Sequence, residues 1–242
     1  MCSSDLMGRP LVRGACLRRL LLPAVPAVGG DVLADLDVSH HALRVIRLAR
    51  GEHVRIADGA GHVAVAELVG VEDGRARLRV LETLEATAVA ARVVLLGVPR
   101  HALLEEALQL GTEAGVTRFV LVRATRSPGG DPRADRLDRV LRAAVTQCGR
   151  PDLPRIDGPS TLAQALSDPS LEGLQRWVAL PGASGQAAEG PAAVAVGPEG
   201  GWSPEEVDQL LAAGFAPLGL GPWTLRTPTA VAVAMGALSR SG

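Results

Sequence analysis

The hydrophobic period of this chain changes once, near Arg92, and that change demands two unlike halves. Upstream, from Val32 to about Leu84, a short helical segment, SHHALRVIRLA, precedes the runs HVRIAD, HVAVAEL and RARLRVL, in which apolar and polar residues alternate. A period of two marks half-buried strands. The clusters DGAG and EDG between them are turn formers that favour hairpins. Residues 17–84 therefore read as a small antiparallel β-domain, and ETLEATAVAA as the connection out of it. Downstream, the short apolar runs VVLLGV, RFVLVRA, RWVAL, PAAVAV and FAPLGL alternate with segments of helical spacing. HALLEEALQLGTEA carries Leu103, Leu104, Ala107, Leu108 and Leu110, with Gly115 placed to end its helix. ADRLDRVLRAAVTQC puts Leu137, Val140, Leu141, Ala144 and Val145 on one face; SPEEVDQLLAA and PTAVAVAMGALSR supply two more helices. Buried strands alternating with helices predict a mainly parallel sheet flanked by helices, an α/β domain over 92–242.

Composition narrows the class. With 242 residues and 47% hydrophobic content the chain has material for a sizeable core. Its apolar stretches are interrupted well short of the ~18–20 residues a membrane-spanning helix needs, so no membrane association is expected. The apolar patch from Leu20 to Val28 is broken by Pro23 and Pro26 and lacks a cleavage site, which argues for a cytoplasmic protein. Residues before Leu17 read as an extension outside the fold. Cys2, Cys16 and Cys148 form no CxxC pair, and the five histidines show no ligand spacing, so no metal is expected. The net charge of −1 gives no global nucleic-acid signal, but all 25 Lys and Arg positions are Arg, whose planar fork suits phosphates and bases.

The chemistry concentrates in two turns. In AVAVGPEGGWSPEEV an apolar strand enters a glycine-rich turn and then a marked helix start. Ser203 suits the N-cap, Pro204 the first helical position, and Glu206 completes a capping box. Gly197, Gly200 and Gly201 permit positive φ and close approach of a ligand to main-chain atoms. A purely structural tight turn accounts for these glycines equally well, and the pattern is neither GxGxxG nor a P-loop. The second turn, LGLGPWTLRTPTA, repeats the plan with Gly219 and Gly221, then Thr227 as N-cap and Pro228 opening the last helix. Two such turns at consecutive strand ends converge on one crevice at the carboxyl edge of the sheet.

These two segments resemble the signature of the family that methylates N3 of a uridine in small-subunit ribosomal RNA, within the trefoil-knot methyltransferase superfamily. HALRVIRL, LQLGTEAGVTRFVLVRATRS and RLDRVLRAAVTQCGRPDLPRI agree with it, in order, from Leu17 onward. The resemblance implies an N-terminal PUA-like β-barrel that grips RNA, a trefoil-knotted C-terminal domain that binds S-adenosylmethionine, and a homodimer with the cofactor site near the subunit interface. It carries the cofactor loops onto Leu180, Pro181 and Gly182; Gly197, Pro198, Glu199, Gly200 and Gly201; and Leu220, Gly221, Leu225, Arg226 and Thr227. Three positions depart from the pattern: Leu137 stands for a Trp, Ala143 for a Glu, and Pro228 for the Glu of Arg-Thr-Glu-Thr-Ala. The intact turns imply an active enzyme; the departures point to the alternative, a catalytically silent or altered-specificity relative.

For chemistry at uracil N3, a proton leaves as the methyl arrives, so the site must stabilise negative charge growing on the uracil oxygens. Arg226, permanently cationic at a loop-to-helix junction, is the first candidate. Glu199, the carboxylate inside the glycine-rich turn, is the second, with a structural role as the competing reading. Arg44, Arg47, Arg126, Arg136 and Arg150 are the arginines expected to hold RNA.

Overall fold

The computed structural model describes residues 17–86, 89–128, 130–187 and 190–239. The extension expected before Leu17 lies outside these residues. The chain divides into two compact units, one formed by the described residues up to Asp58 with Val63–Leu84, the other by Gly59–His62 and the chain from Glu85.

The first unit is a five-stranded sheet. Its strands are β1 (Arg19–Leu21), β2 (Asp31–Leu33), β3 (His53–Ala57), β4 (Val63–Glu72) and β5 (Arg75–Leu84), in the order β1-β3-β4-β5-β2. Alternation does the work the sequence indicated: Val54 and Ile56 of β3, Ala64 and Ala66 of β4, and Leu78 and Val80 of β5 turn into one core. The β4–β5 hairpin closes on Asp73 and Gly74, both at positive φ (49° and 77°), as a two-residue hairpin turn requires. The sheet is not wholly antiparallel, as expected, because β1 joins β3 in parallel. Both β1 and β2 are three residues long, too short for alternation to reveal. Helix α1 (Leu36–His40) is capped by Asp35 and runs into a π-helical turn at His41–Val45. Buried Ser39 fastens it, donating to the Ala34 carbonyl and accepting from the Ala76 amide.

The second unit is a six-stranded sheet paired in parallel throughout. Its strands are β6 (Arg92–Gly97), β7 (Arg118–Val122), β8 (Arg155–Ser160), β9 (Gln175–Ala179), β10 (Ala192–Val196) and β11 (Ala216–Leu218), in the order β11-β9-β10-β6-β7-β8. Helices α2 (His101–Glu113), α3 (Ala134–Cys148) and α6 (Thr227–Leu238) cover one face; α4 (Leu162–Leu166) and α5 (Pro204–Ala212) cover the other. Val94 and Leu96 of β6 pack under the first layer and Val93 and Leu95 under the second, which is why this strand reads as unbroken apolar sequence. Strand β8 and helix α4 were not foreseen. β8, RIDGPS, lies at the sheet edge with no fully buried residue, so it carries no apolar run.

Polar anchors fix both edges of this sheet. At the amino edge, buried Arg92 donates to the Leu238 carbonyl at 2.8 Å, pinning the end of α6 to the start of β6. Arg118 binds Asp157, Asp168 and Ser170. Burial raises the Asp168 pKa, but the Ser170 amide, the Arg118 guanidinium and the Ser170 hydroxyl outweigh it and hold the pKa at about 2. At the carboxyl edge the backbones of residues 183–185 and 217–219 cross in contact. A Cβ on Gly185 would lie 2.0 Å from the Pro217 carbonyl oxygen, and one on Gly219 would lie 2.0 Å from that of Ala183. The Gly219 amide donates to the Gly185 carbonyl across this crossing at 3.1 Å. It is the close chain-on-chain passage that the expected knotted topology calls for.

Candidate functional site

Strand order places the site. From β6 the chain moves outward one way through β7 and β8, then returns on the other side through β9 and β10, so the carboxyl ends of β6 and β10 flank a switch point. Close packing occurs there: a Cβ on Gly97 would lie 2.5 Å from Pro198 Cδ. The loops after β9, β10 and β11 meet beside it around a cleft of about 310 Å³.

The glycine-rich turn after β10 forms one wall. Gly201 has φ 69°, the conformation that glycine adopts freely. Gly197 is needed for a different reason, since its Cβ would lie 3.1 Å from the Gly201 backbone and the Trp202 nitrogen. Gly200 does not have the positive φ allowed for it; its Cβ would press at 3.0 Å on that of Arg126. The turn enters α5 through the predicted capping box. The Ser203 hydroxyl accepts from the Glu206 amide at 3.2 Å, and the Glu206 carboxylate accepts from the Ser203 amide at 2.8 Å. Glu206 also accepts from the Thr125 amide at 2.7 Å, tying the turn to the loop after β7.

The third loop requires a correction. The N-cap of α6 is Arg226, not Thr227, and Pro228 is its second residue rather than its first. Thr227 is drawn into the helix because its hydroxyl donates to the Gly197 carbonyl at 3.1 Å, joining the two glycine turns instead of capping. Pro228 is buried, and its missing amide is still one of those without an intrahelical acceptor.

Of the residues expected around the cofactor, Leu180, Pro181, Gly197, Pro198, Glu199, Gly200, Gly201, Leu220, Gly221, Leu225 and Thr227 line the cleft. Gly182 and Arg226 do not. The Arg226 guanidinium is 63% exposed and donates to Glu106 of α2 at 2.9 Å. A carboxylate does stand beside Arg226, therefore, but it comes from another helix. Glu199 accepts from the Arg100 amide at 3.3 Å. Arg100 is the N-cap of α2 and supplies no side-chain cap of its own, so Glu199 ties the glycine-rich turn to that helix start.

The arginines separate equally clearly. Arg126 lines the cleft, where its Nη1 donates to the Gly200 and Trp202 carbonyls at 2.8 and 3.3 Å. Arg44 and Arg47 are exposed in the first unit, and Arg136 is exposed and paired with Glu105. Arg150 does not belong with them: its side chain is only 9% exposed and donates to the Thr112 and Val116 carbonyls and to Asp152. It is a clamp on the end of α2. Trp223 and Thr224, inside the loop expected from Leu220 through Thr227, line the cleft as well; sequence reasoning missed Trp202, which follows directly on the glycine-rich turn. Of the three departures, Leu137 is core, Ala143 lies on the exposed face of α3, and Pro228 is buried.

Among the described residues no cluster of three or more His, Cys, Asp or Glu is arranged for a metal, and no helix is long and apolar enough to cross a membrane. Residues 88–239 match the RNA methyltransferase domain and residues 33–81 the RNA methyltransferase PUA domain. The chain belongs to the RNA methyltransferase family. Similar proteins within it include the ribosomal RNA small subunit methyltransferase E of Mycobacterium tuberculosis, 32% identical over 236 residues and 88% of each chain. That of Synechocystis is 32% identical over 238 residues, 90% of this chain and 75% of the relative. The crystal structure of the Neisseria gonorrhoeae enzyme of that name, bound to S-adenosylmethionine, superposes with a TM-score of 0.83 at 26% identity over 91% of this chain and 96% of that one. The family's α/β fold with an N-terminal PUA-like domain is thus the fold of this chain.

Proposed function

We propose that this protein transfers the methyl group of S-adenosylmethionine to N3 of a uridine in small-subunit ribosomal RNA. The observation that carries the reading is the convergence of three main-chain loops on one cleft in a member of this family. The cleft fits the cofactor in kind. Its volume lies at the lower end of the ~300–1,000 Å³ usual for small-molecule sites. Val196, Leu180, Leu220 and Leu225 offer apolar walls for a purine, and the glycine turn leaves main-chain groups accessible at close range. When bound, the sulfonium supplies an electrophilic methyl group.

The chain's own residues supply the remainder. Arg126 is the sole cationic side chain among the lining residues, and we assign to it the stabilising role expected of Arg226. Its Nη1 is held by the Gly200 and Trp202 carbonyls, which orients the guanidinium while leaving other N–H donors for the uracil oxygens as charge accumulates on them. Glu199 and Thr227 position the loops. Arg44, Arg47 and Arg136, all exposed, are proposed to contact RNA phosphates.

We further infer a cytoplasmic homodimer. Ala232, Val233, Gly236 and Ala237 form an incompletely buried apolar stripe on α6; Val233 is 38% exposed, and nothing lies within 4 Å of a Cβ placed on Gly236. The silent-relative alternative is not favoured, because none of the three departures removes a cleft-lining residue. The test is methyl transfer from labelled S-adenosylmethionine to undermodified small subunits, followed by nucleoside analysis. N3-methyluridine is expected; transfer to a ribose hydroxyl, or none, would overturn the assignment.

A further inference from the structure

The chain holds five aromatic side chains in all, two Phe and three Trp with no Tyr. Phe119, Phe215 and Trp202 are core, and Trp177 is half-buried against the same sheet. Trp223 differs: it is 79% exposed, more than any other large apolar side chain among the described residues. A single exposed apolar residue needs no explanation by itself. Trp223, however, lines the cleft, on the turn between Gly221 and Leu225, and Arg126 lines the same cleft. The one aromatic ring withheld from the cores therefore stands where a substrate base must enter.

An enzyme that alkylates a base edge must take that base out of its stack, and the extruded ring needs a flat apolar surface to replace the lost neighbours. An indole does this with little loss of side-chain freedom, and Arg126 offers hydrogen-bond donors to the base edge. We propose that Trp223 is the stacking platform for the extruded target base and so a positioning and affinity determinant for RNA. This rests on the RNA-methylating reading above and specifies how that site holds its substrate. The cofactor's own purine is the competing partner, and a second copy of the chain is another.

Fluorescence separates them when the wild-type signal is read against that of Trp223→Phe, because Trp202, although buried, lines the same cleft. The full chain is titrated with S-adenosylmethionine, then with a uridine-containing single-stranded RNA oligonucleotide. Methyl transfer to small subunits is measured in parallel for wild type, Trp223→Ala and Trp223→Phe. RNA, but not cofactor, is expected to quench the emission. Trp223→Ala is expected to weaken RNA binding about tenfold, within the range alanine substitution gives for one base–aromatic stack. Its KM for RNA should rise while cofactor affinity is kept, and Trp223→Phe should restore most of the loss. Unchanged RNA affinity and KM in an active Trp223→Ala variant would overturn the platform while leaving the methyltransferase reading intact. Loss confined to cofactor binding, or emission already shielded in the RNA-free protein in step with self-association, would overturn it too. Absence of RNA binding and methyl transfer in the wild type would remove the wider reading with it.

Discussion

Replacing Gly219 with alanine adds one methyl group where no room exists. Its Cβ would lie 2.0 Å from the Ala183 carbonyl oxygen, and the obstructing atom is backbone, which cannot rotate aside as a side-chain tip would. The two chain segments must separate by more than an ångström, which also strains the 3.1 Å hydrogen bond from the Gly219 amide to Gly185. Overpacking costs about 1–3 kcal/mol and a compromised hydrogen bond about 1 more, so a loss near 3 kcal/mol is expected. At roughly 2–4 °C per kcal/mol for a domain of this size, the melting temperature should fall by about 6–12 °C. Because the cleft residues Leu180 and Leu220 lie just beyond the crossing segments, cofactor affinity should fall as well, by about tenfold for each 1.4 kcal/mol of misplacement. Thermal melting and calorimetry with S-adenosylmethionine read the two effects. Gly70→Ala is the control, since nothing lies within 4 Å of its Cβ, and it should stay within about 0.5 kcal/mol. If Gly219→Ala melts with the wild type, the crossing is looser than described and the argument from contact fails.

Three further outcomes are expected. Gly200→Val should displace Arg126 and reduce methyl transfer about a hundredfold or more, the usual effect of losing one charge-stabilising donor, with the fold retained; Arg126→Ala should match it in kinetic assay. Asp168 has a folded-state pKa depressed to about 2 from 3.8, so its stabilisation is complete above pH 4 and disappears as pH falls towards 2. Acid unfolding followed by circular dichroism should therefore show roughly 2 kcal/mol lost over that window, and Asp168→Asn should lack this component while being less stable at neutral pH. Pro228→Glu should not accelerate methyl transfer, because Arg226 already has Glu106 as its carboxylate partner; a clear gain in rate would show that the buried second position of α6 is where the charge was needed.

Much of the fold was legible in the sequence because burial writes itself into period. β6, β7 and β10 are covered on both faces and read as apolar runs, while β3 and β5 are covered on one and alternate; β4 lies between, buried at four consecutive positions from Val63 to Ala66 before its outer half opens to solvent. β8 was not legible, since an edge strand with Gly158 and Pro159 in it buries too little to leave a pattern. The capping box at Ser203 was visible because its chemistry is local. The cap of α6 was misplaced by one residue because Thr227 bonds to Gly197, thirty positions earlier, a partner that sequence spacing does not disclose. The arginines show the same limit. Arg126, Arg150 and Arg226 look alike in sequence; only the carbonyls and carboxylates of distant segments distinguish a cleft cation from a clamp and a surface pair.

The bond from Arg92 to the Leu238 carbonyl has an architectural consequence. It brings the first strand of the second unit and the end of its last helix into contact across 146 positions of sequence. Ends that meet in this way can be joined by a short linker, and new ends opened elsewhere on the surface. Connectivity then becomes separable from contact: a permuted chain keeps the sheet, the layers and the cleft, yet passes its segments through the 183–185 and 217–219 crossing in a different order during synthesis.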